Sequence, residues 1–284
     1  MRLALHIDDY SGFGASHRTG QVLARVAEAA ENAGFARLSV TDRLWQAGGG
    51  HGPMLESYTT LGFVAGRTRS IELQALVTSA TYRAPGLLAK IVTTLDVRSG
   101  GRAWLGIGPA GDEREAAGLG LRPGSSGERF GRLEETLQIC RQMWSENCDS
   151  FVGEHYRLAS TLNSPRPLSR PRPRILVGGG EEETLRLAAV YADAVVVDGG
   201  QETGPQIERL RGHCAEAGRD PDAVEKSVVL RTADGAGDVE RLPKELWRLR
   251  ELGCGTVYLV VPDAGKITPL ETIGAKVISE IATW

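Results

Sequence analysis

The stretch RILVGGGEEETLRLAAVYADAVVV, residues 174–197, decides the fold. It opens with a short apolar run, continues through three glycines into a stretch with helical apolar spacing over 182–191, and closes on a second valine-rich run. A buried strand, a crossover helix and a second buried strand in that order make a parallel unit, because parallel neighbours need a long return connection.

The same alternation continues in both directions. Downstream, strands are expected at 227–230 and 256–261, with helices over 201–217 and 239–252. Upstream, strands are expected at 3–7, 37–40, 71–77 and 103–107, with helices over 19–33, 55–67 and 85–98. Thr19 reads as a cap of the first helix and Gly34 as its stop. The count reaches eight strands, enough to close a (β/α)8 TIM barrel of one domain over residues 1–284, since that fold takes about 250 residues. An open doubly wound sheet has the same alternation, but no terminal G-x-G-x-x-G is present to favour it.

One interval is too long for a simple crossover: about 65 residues separate the fourth and fifth strands where roughly 30 suffice. An insertion after strand 4 is therefore expected, with a helix over 129–144 and an edge strand over 151–158. SPRPLSRPRPR, 164–174, has too many prolines for either element and reads as a stiff extended connector, or as a ligand for a partner domain.

Thirty-three basic against 36 acidic residues give a net charge of -3. That balance offers no field for nucleic acid. No apolar run approaches the roughly 20 residues of a membrane span, and MRLALHIDDY has acidic residues where a secretion signal needs apolar ones. A cytoplasmic protein is expected. The cysteines at 140, 148, 214 and 254 form no C-x-x-C pair and have no histidine at ligand spacing, so free thiols and no metal are expected.

In such barrels the chemistry sits beyond the carboxyl ends of the strands. His6, at the tip of the first strand, is placed for acid or base work or for a buried hydrogen bond. Tyr10 follows it. Asp42, Arg43 and Trp45 follow the second strand, where a surface ion pair is the ordinary alternative to a functional one. Gly178, Gly179 and Gly180 before a helix suit an anion or a turn needing positive φ. Glu181, Glu182 and Glu183 oppose the anion reading: at about 6 Å and an effective dielectric near 20, a carboxylate repels a phosphate charge by on the order of 3 kcal/mol. Phosphate binding there requires them to turn away or be neutralised. The segment through Gly106 and Gly108 suits a cofactor tail, with Glu115 facing it, or a tight strand exit.

Four stretches taken together resemble one family: AENAGFARLSVTDR (30–43), the run from LESYTTLGF to AWLGIG (55–108), RFGRLEETLQICRQMW (129–144) and PRILVGGGEEETLRLAAVYADAV (173–195). YRAP, TLD, SGGR, GIG and GG in this order are similar to the luciferase-like monooxygenases, above all to their coenzyme F420-dependent oxidoreductases. The last third resembles the family only in its pattern of elements.

The resemblance implies a barrel with an insertion after strand 4 and a deazaflavin or flavin ring in its mouth. It also implies a bulge ending the third strand, with a non-prolyl cis peptide at Ala75–Leu76 and with Val77 and Thr78 adjoining. The cofactor's tail would lie from Gly108 to Glu115 and at Gly178, Gly179 and Gly180, with His6, Asp42, Arg43 and Tyr10 around the reacting face and Trp45 toward the substrate. Where the family usually has Asp-His, this chain has Asp42-Arg43. An arginine stays protonated and cannot accept the proton of an alcohol, so a reductase is expected rather than an alcohol dehydrogenase. The cofactor is expected to be F420 and the substrate small, in a homodimer. FMN, supplied by a separate reductase to a two-component monooxygenase, is the alternative, and a non-catalytic binding barrel is the third.

Overall fold

Alternation along the first strand, β1 (Arg2–Ile7), sets the architecture. Leu3, Leu5 and Ile7 join the large core under the helices, while Ala4 joins a second cluster inside the barrel with Leu76, Trp104, Leu176, Ala194 and Tyr258. A strand with apolar residues on both faces belongs in a sheet covered on both sides. The structure, a computed structural model, describes residues 1–109, 112–122, 124–232 and 239–284.

The remaining strands are β2 (Arg37–Val40), β3 (Glu72–Ala75), β4 (Thr78–Ser79), β5 (Ala103–Gly108), a β6/β7 pair (Phe151–Val152 and Arg157–Leu158), β8 (Arg174–Gly178), β9 (Ala194–Asp198), β10 (Glu225–Arg231) and β11 (Cys254–Val260). Their order is β3-β2-β1-β11-β10-β9-β8-β5-β4, all parallel, and β3 also pairs with β5. With β3 and β4 as two halves of one strand, this is a closed eight-stranded barrel. The expected strand over 71–77 is thus broken, because β4 pairs only with β5 after the chain kinks at Leu76 and Val77. The non-prolyl cis bond is Leu76–Val77, one bond beyond the expected Ala75–Leu76.

Helices α1 (Thr19–Ala33), α2 (Ser57–Ala65) and α3 (Pro85–Ser99) return the first strands. Gly34, at φ 91°, ends α1 by turning its N–H back to Ala30 and Glu31 carbonyls, which only a residue without a Cβ does cheaply. Thr19 is the first helical residue of α1 rather than its cap, which is Arg18.

The insertion after β5 holds α4 (Glu113–Gly118), which the sequence reading missed, and α5 (Ser126–Met143), started by a Ser125/Glu128 capping box. The expected single strand over 151–158 is instead an antiparallel hairpin of β6 and β7, closed by a turn whose N–H groups at 154–156 donate to the Glu135 carboxylate. The proline-rich connector is tied down by buried Asp96, which accepts from the Leu168 and Ser169 N–H groups at 2.6 and 2.9 Å. Helices α6 (Glu182–Tyr191), α7 (Thr203–Glu216) and α8 (Leu242–Glu251) complete the crossovers, and α9 (Thr268–Ile273) follows β11.

Among the described residues no helix is long and apolar enough to cross a membrane, and no cluster of His, Cys, Asp and Glu is arranged to hold a metal.

Candidate active site

The kink between β3 and β4 carries Val77 into the middle of the barrel mouth, where three adjoining cavities share it. One of about 320 Å³ is lined by Asp42, Arg43, Leu76, Val77 and Tyr82. A second of about 350 Å³ is lined by His6, Leu76, Val77, Gly178 and Asp198. The third, about 500 Å³, is lined by Val77, Gly108, Gly178, Gly180, Glu181 and Thr184. The segments at 42, 76, 108 and 178 therefore meet on one rim.

Glycine is what keeps the rim open. A Cβ at Gly178 would lie 2.6 Å from Val77 Cγ1, one at Gly108 2.9 Å from Val77 Cγ2, and one at Gly180 1.9 Å from Gln206 Nε2. Gly179 has φ 133°, outside ordinary reach for a side-chain-bearing residue. Helix α6 begins just beyond. Its first turn leaves N–H groups without intrahelical partners, and no side chain caps it. Thr184, fully buried in that turn, has a hydroxyl with no hydrogen-bond partner among the described residues.

Two of the three glutamates at this helix start are drawn into ion pairs. Glu182 is engaged by His213 Nε2 at 2.7 Å and Arg209 at 3.9 Å, and Glu183 by Arg186 at 2.7 Å. Glu181 stays on the cavity wall.

His6 points inward from β1, with Nδ1 3.0 Å from Ser39 Oγ, and is only 7% exposed. Burial pushes its pKa down to about 4, against a smaller upward pull from Asp8, so the imidazole is neutral at neutral pH. Arg43 is half-exposed, with Asp112 at 3.9 Å as its carboxylate neighbour. Asp42, one residue before, is saturated: Arg83 donates to it at 2.7 and 2.9 Å, the Ser79 N–H at 3.3 Å, and the Ser57 hydroxyl closes the set. It lines the rim yet has little left for a ligand.

Five expected site residues lie elsewhere. Ala75 is fully buried with its carbonyl against Gly106, and Thr78 turns its hydroxyl outward to Tyr58 at 2.7 Å. Tyr10 is buried edge-on against Phe13, at 5.3 Å between ring centroids. The Trp45 ring packs on Gly118, where a Cβ would lie 2.0 Å from it. Glu115 is buried, accepting from the Trp45 N–H at 2.9 Å and the Tyr82 hydroxyl at 2.7 Å, so it builds the wall instead of facing a cofactor. Of the tail segment expected from Gly108 to Glu115, residues 110 and 111 lie outside the described residues.

The sequence reading missed Ser39, Thr184 and Arg231. Period-two alternation along β10 was the available signal for the last, since Ser227, Val229 and Arg231 share a face with the interior.

Comparison with known proteins agrees with this architecture. An F420-dependent glucose-6-phosphate dehydrogenase of Nakamurella multipartita is 32% identical over 218 residues, 74% of this chain and 63% of that protein. Pyrimidine monooxygenase RutA of Stutzerimonas stutzeri is 31% identical over 172 residues, 58% of this chain and 47% of that one. The matched part thus spans less than two thirds of either relative. The coenzyme F420-dependent tetrahydromethanopterin reductase of Methanopyrus kandleri superposes with a TM-score of 0.81 over 98% of this chain and 99% of that one, at 17% identity, and so shares the fold. A model of the luciferase-like monooxygenases matches residues 9–241, and the chain belongs to that family.

Proposed function

We propose that this protein is an F420-dependent oxidoreductase acting on a small organic substrate, as a reductase rather than an alcohol dehydrogenase. The observation that carries the reading is the unpartnered Thr184 hydroxyl beside the uncapped start of α6, on a cavity that glycines hold open. A buried hydroxyl without a partner costs about 1–3 kcal/mol, and a phosphate group would supply acceptors for it and for the first-turn N–H groups.

The residues fit such a group. Gly178, Gly179, Gly180 and Thr184 would hold its phosphorylated tail, Leu76 and Val77 would back its ring, and the Arg43 guanidinium would face the ring's polar edge. When bound, F420 supplies the hydride chemistry. His6 and Ser39 bound the inner side of the same space. Neither Arg43, always protonated, nor His6, held near 4, is matched to take an alcohol's proton at neutral pH. That mismatch argues against alcohol oxidation and favours a substrate whose reduction needs no proton from either group, such as an iminium carbon. Likeness to a pyrimidine monooxygenase supports a second reading, with reduced FMN from a separate reductase.

Titration with F420 and FMN, followed by fluorescence and by the unfolding temperature, tests the assignment. F420 should bind and raise the unfolding temperature. Thr184→Val should weaken F420 about tenfold while stabilising the free protein by about 1 kcal/mol. Binding of FMN alone would replace F420 by FMN, and stabilisation by neither would leave a non-catalytic barrel.

A further inference from the structure

Beside the three cavities that share Val77 is a fourth, of about 260 Å³, between the ends of β1, β10 and β11. His6 belongs to it and to the 350 Å³ cavity, so the two meet at that imidazole. Ile7, Phe13, Val260 and Val261 supply apolar wall; Asp8, Asp9, Arg231 and Asp263 supply charge.

We propose that this fourth cavity binds a small organic cation, an amine or iminium, with Asp8 and Asp9 as its counter-charges and His6 as the neutral group beside it. Its role as the substrate's subsite rests on the cofactor reading above.

The charge count gives the sign. Arg231 pairs with Asp8, and Lys266 pairs with Asp263 at 2.8 Å. Three carboxylates thus face two cations, and His6 adds none because burial holds its pKa near 4. One negative charge is in surplus. Asp9 carries it, stabilised by the Ser11 N–H at 2.8 Å and by Gln46 Nε2 at 2.8 Å, both on Oδ1. Those donors and the Ser11 hydroxyl hold its pKa below the ordinary value despite partial burial. Among the described residues Asp9 has no cationic partner, and the Arg231 contact to Asp8 is on Oδ2 and leaves its Oδ1 open to a donor. A carboxylate ligand would meet the excess acidic groups, whereas an ammonium meets acceptors. In size, an apolar cavity of about 150 Å³ holds benzene, so this one suits a bicyclic molecule of roughly ten heavy atoms.

The test titrates the full chain, without cofactor, with 1,2,3,4-tetrahydroisoquinoline, isochroman and 1-naphthoate by calorimetry. The amine should bind; isochroman, of the same shape without the charge, should bind about tenfold more weakly, and naphthoate more weakly still. Asp8→Asn should weaken the amine about tenfold and Arg231→Gln should tighten it severalfold, each with an unchanged unfolding temperature. Equal binding of isochroman, preference for naphthoate, or weakening of the amine by Arg231→Gln would overturn the proposal. F420 fluorescence titration of the same variants separates the two readings. Amine binding without any F420 binding keeps the cation site and overturns the cofactor assignment, while F420 binding without amine binding does the reverse.

Discussion

Two arginines six residues apart, Arg37 and Arg43, mark the two ends of the barrel. Arg37, 1% exposed at the floor, donates to Glu72 at 3.1 and 2.7 Å and to the Tyr258 hydroxyl, and lies 3.5 Å over the Trp104 ring. Tyr258 in turn donates to Gln74 at 2.6 Å. Arg43 is 49% exposed at the mouth with one carboxylate at 3.9 Å. At the floor, the charges and the tyrosine hydroxyl are paired within the protein and the Gln74 amide nitrogen is left over; at the mouth, the Thr184 hydroxyl and the half-exposed Arg43 guanidinium are left for something else. The contrast teaches where to look for chemistry in this barrel.

The largest effect that would break this contrast is at the floor. Arg37→Met should lower unfolding free energy by about 3–5 kcal/mol, read from urea midpoints, because Glu72 and Tyr258 lose their buried donor; a loss under about 1 kcal/mol would mean that the network stabilises little. His6 comes next. Folded, its imidazole stays neutral down to about pH 4, while in the unfolded chain it takes a proton near 6.5. Between those values the unfolded state binds more protons, so acid favours unfolding and stability rises with pH. His6→Gln should therefore remove on the order of 3 kcal/mol of the stability lost between pH 7 and 4, and identical acid profiles would refute the burial argument. Arg43→Gln has the smallest effect on the fold, within about 0.5 kcal/mol, yet should weaken F420 about tenfold. A stability loss matching that of Arg37 would erase the distinction between the ends.

The sequence exposed the barrel more readily than the site. Eight runs of β-branched and apolar residues at crossover spacing identified the strands, since burial on both faces leaves a continuous signature. Where pairing switches partners within one strand, at Leu76 and Val77, hydropathy carries no mark. The hairpin formed by β6 and β7 was merged into one strand because its turn is held by Glu135, sixteen residues before β6. In the site, the three glycines before α6 and the unusual Arg43 were legible because backbone freedom and charge are properties of residue type. Tyr10, Trp45 and Glu115 were misplaced because the pleat no longer dictates direction once a strand has ended, and adjacent loop residues turn to opposite sides.

Glu115 has a consequence for how such a mouth changes. One carboxylate on α4 fastens both the backbone after β2 and the tyrosine after β4, and the indole it steadies fills the volume that any side chain at 118 would need. Altering this short helix therefore releases the backbone just beyond Arg43, so that the crossover following β5 bears on the surroundings of a charge carried three strands' worth of sequence earlier.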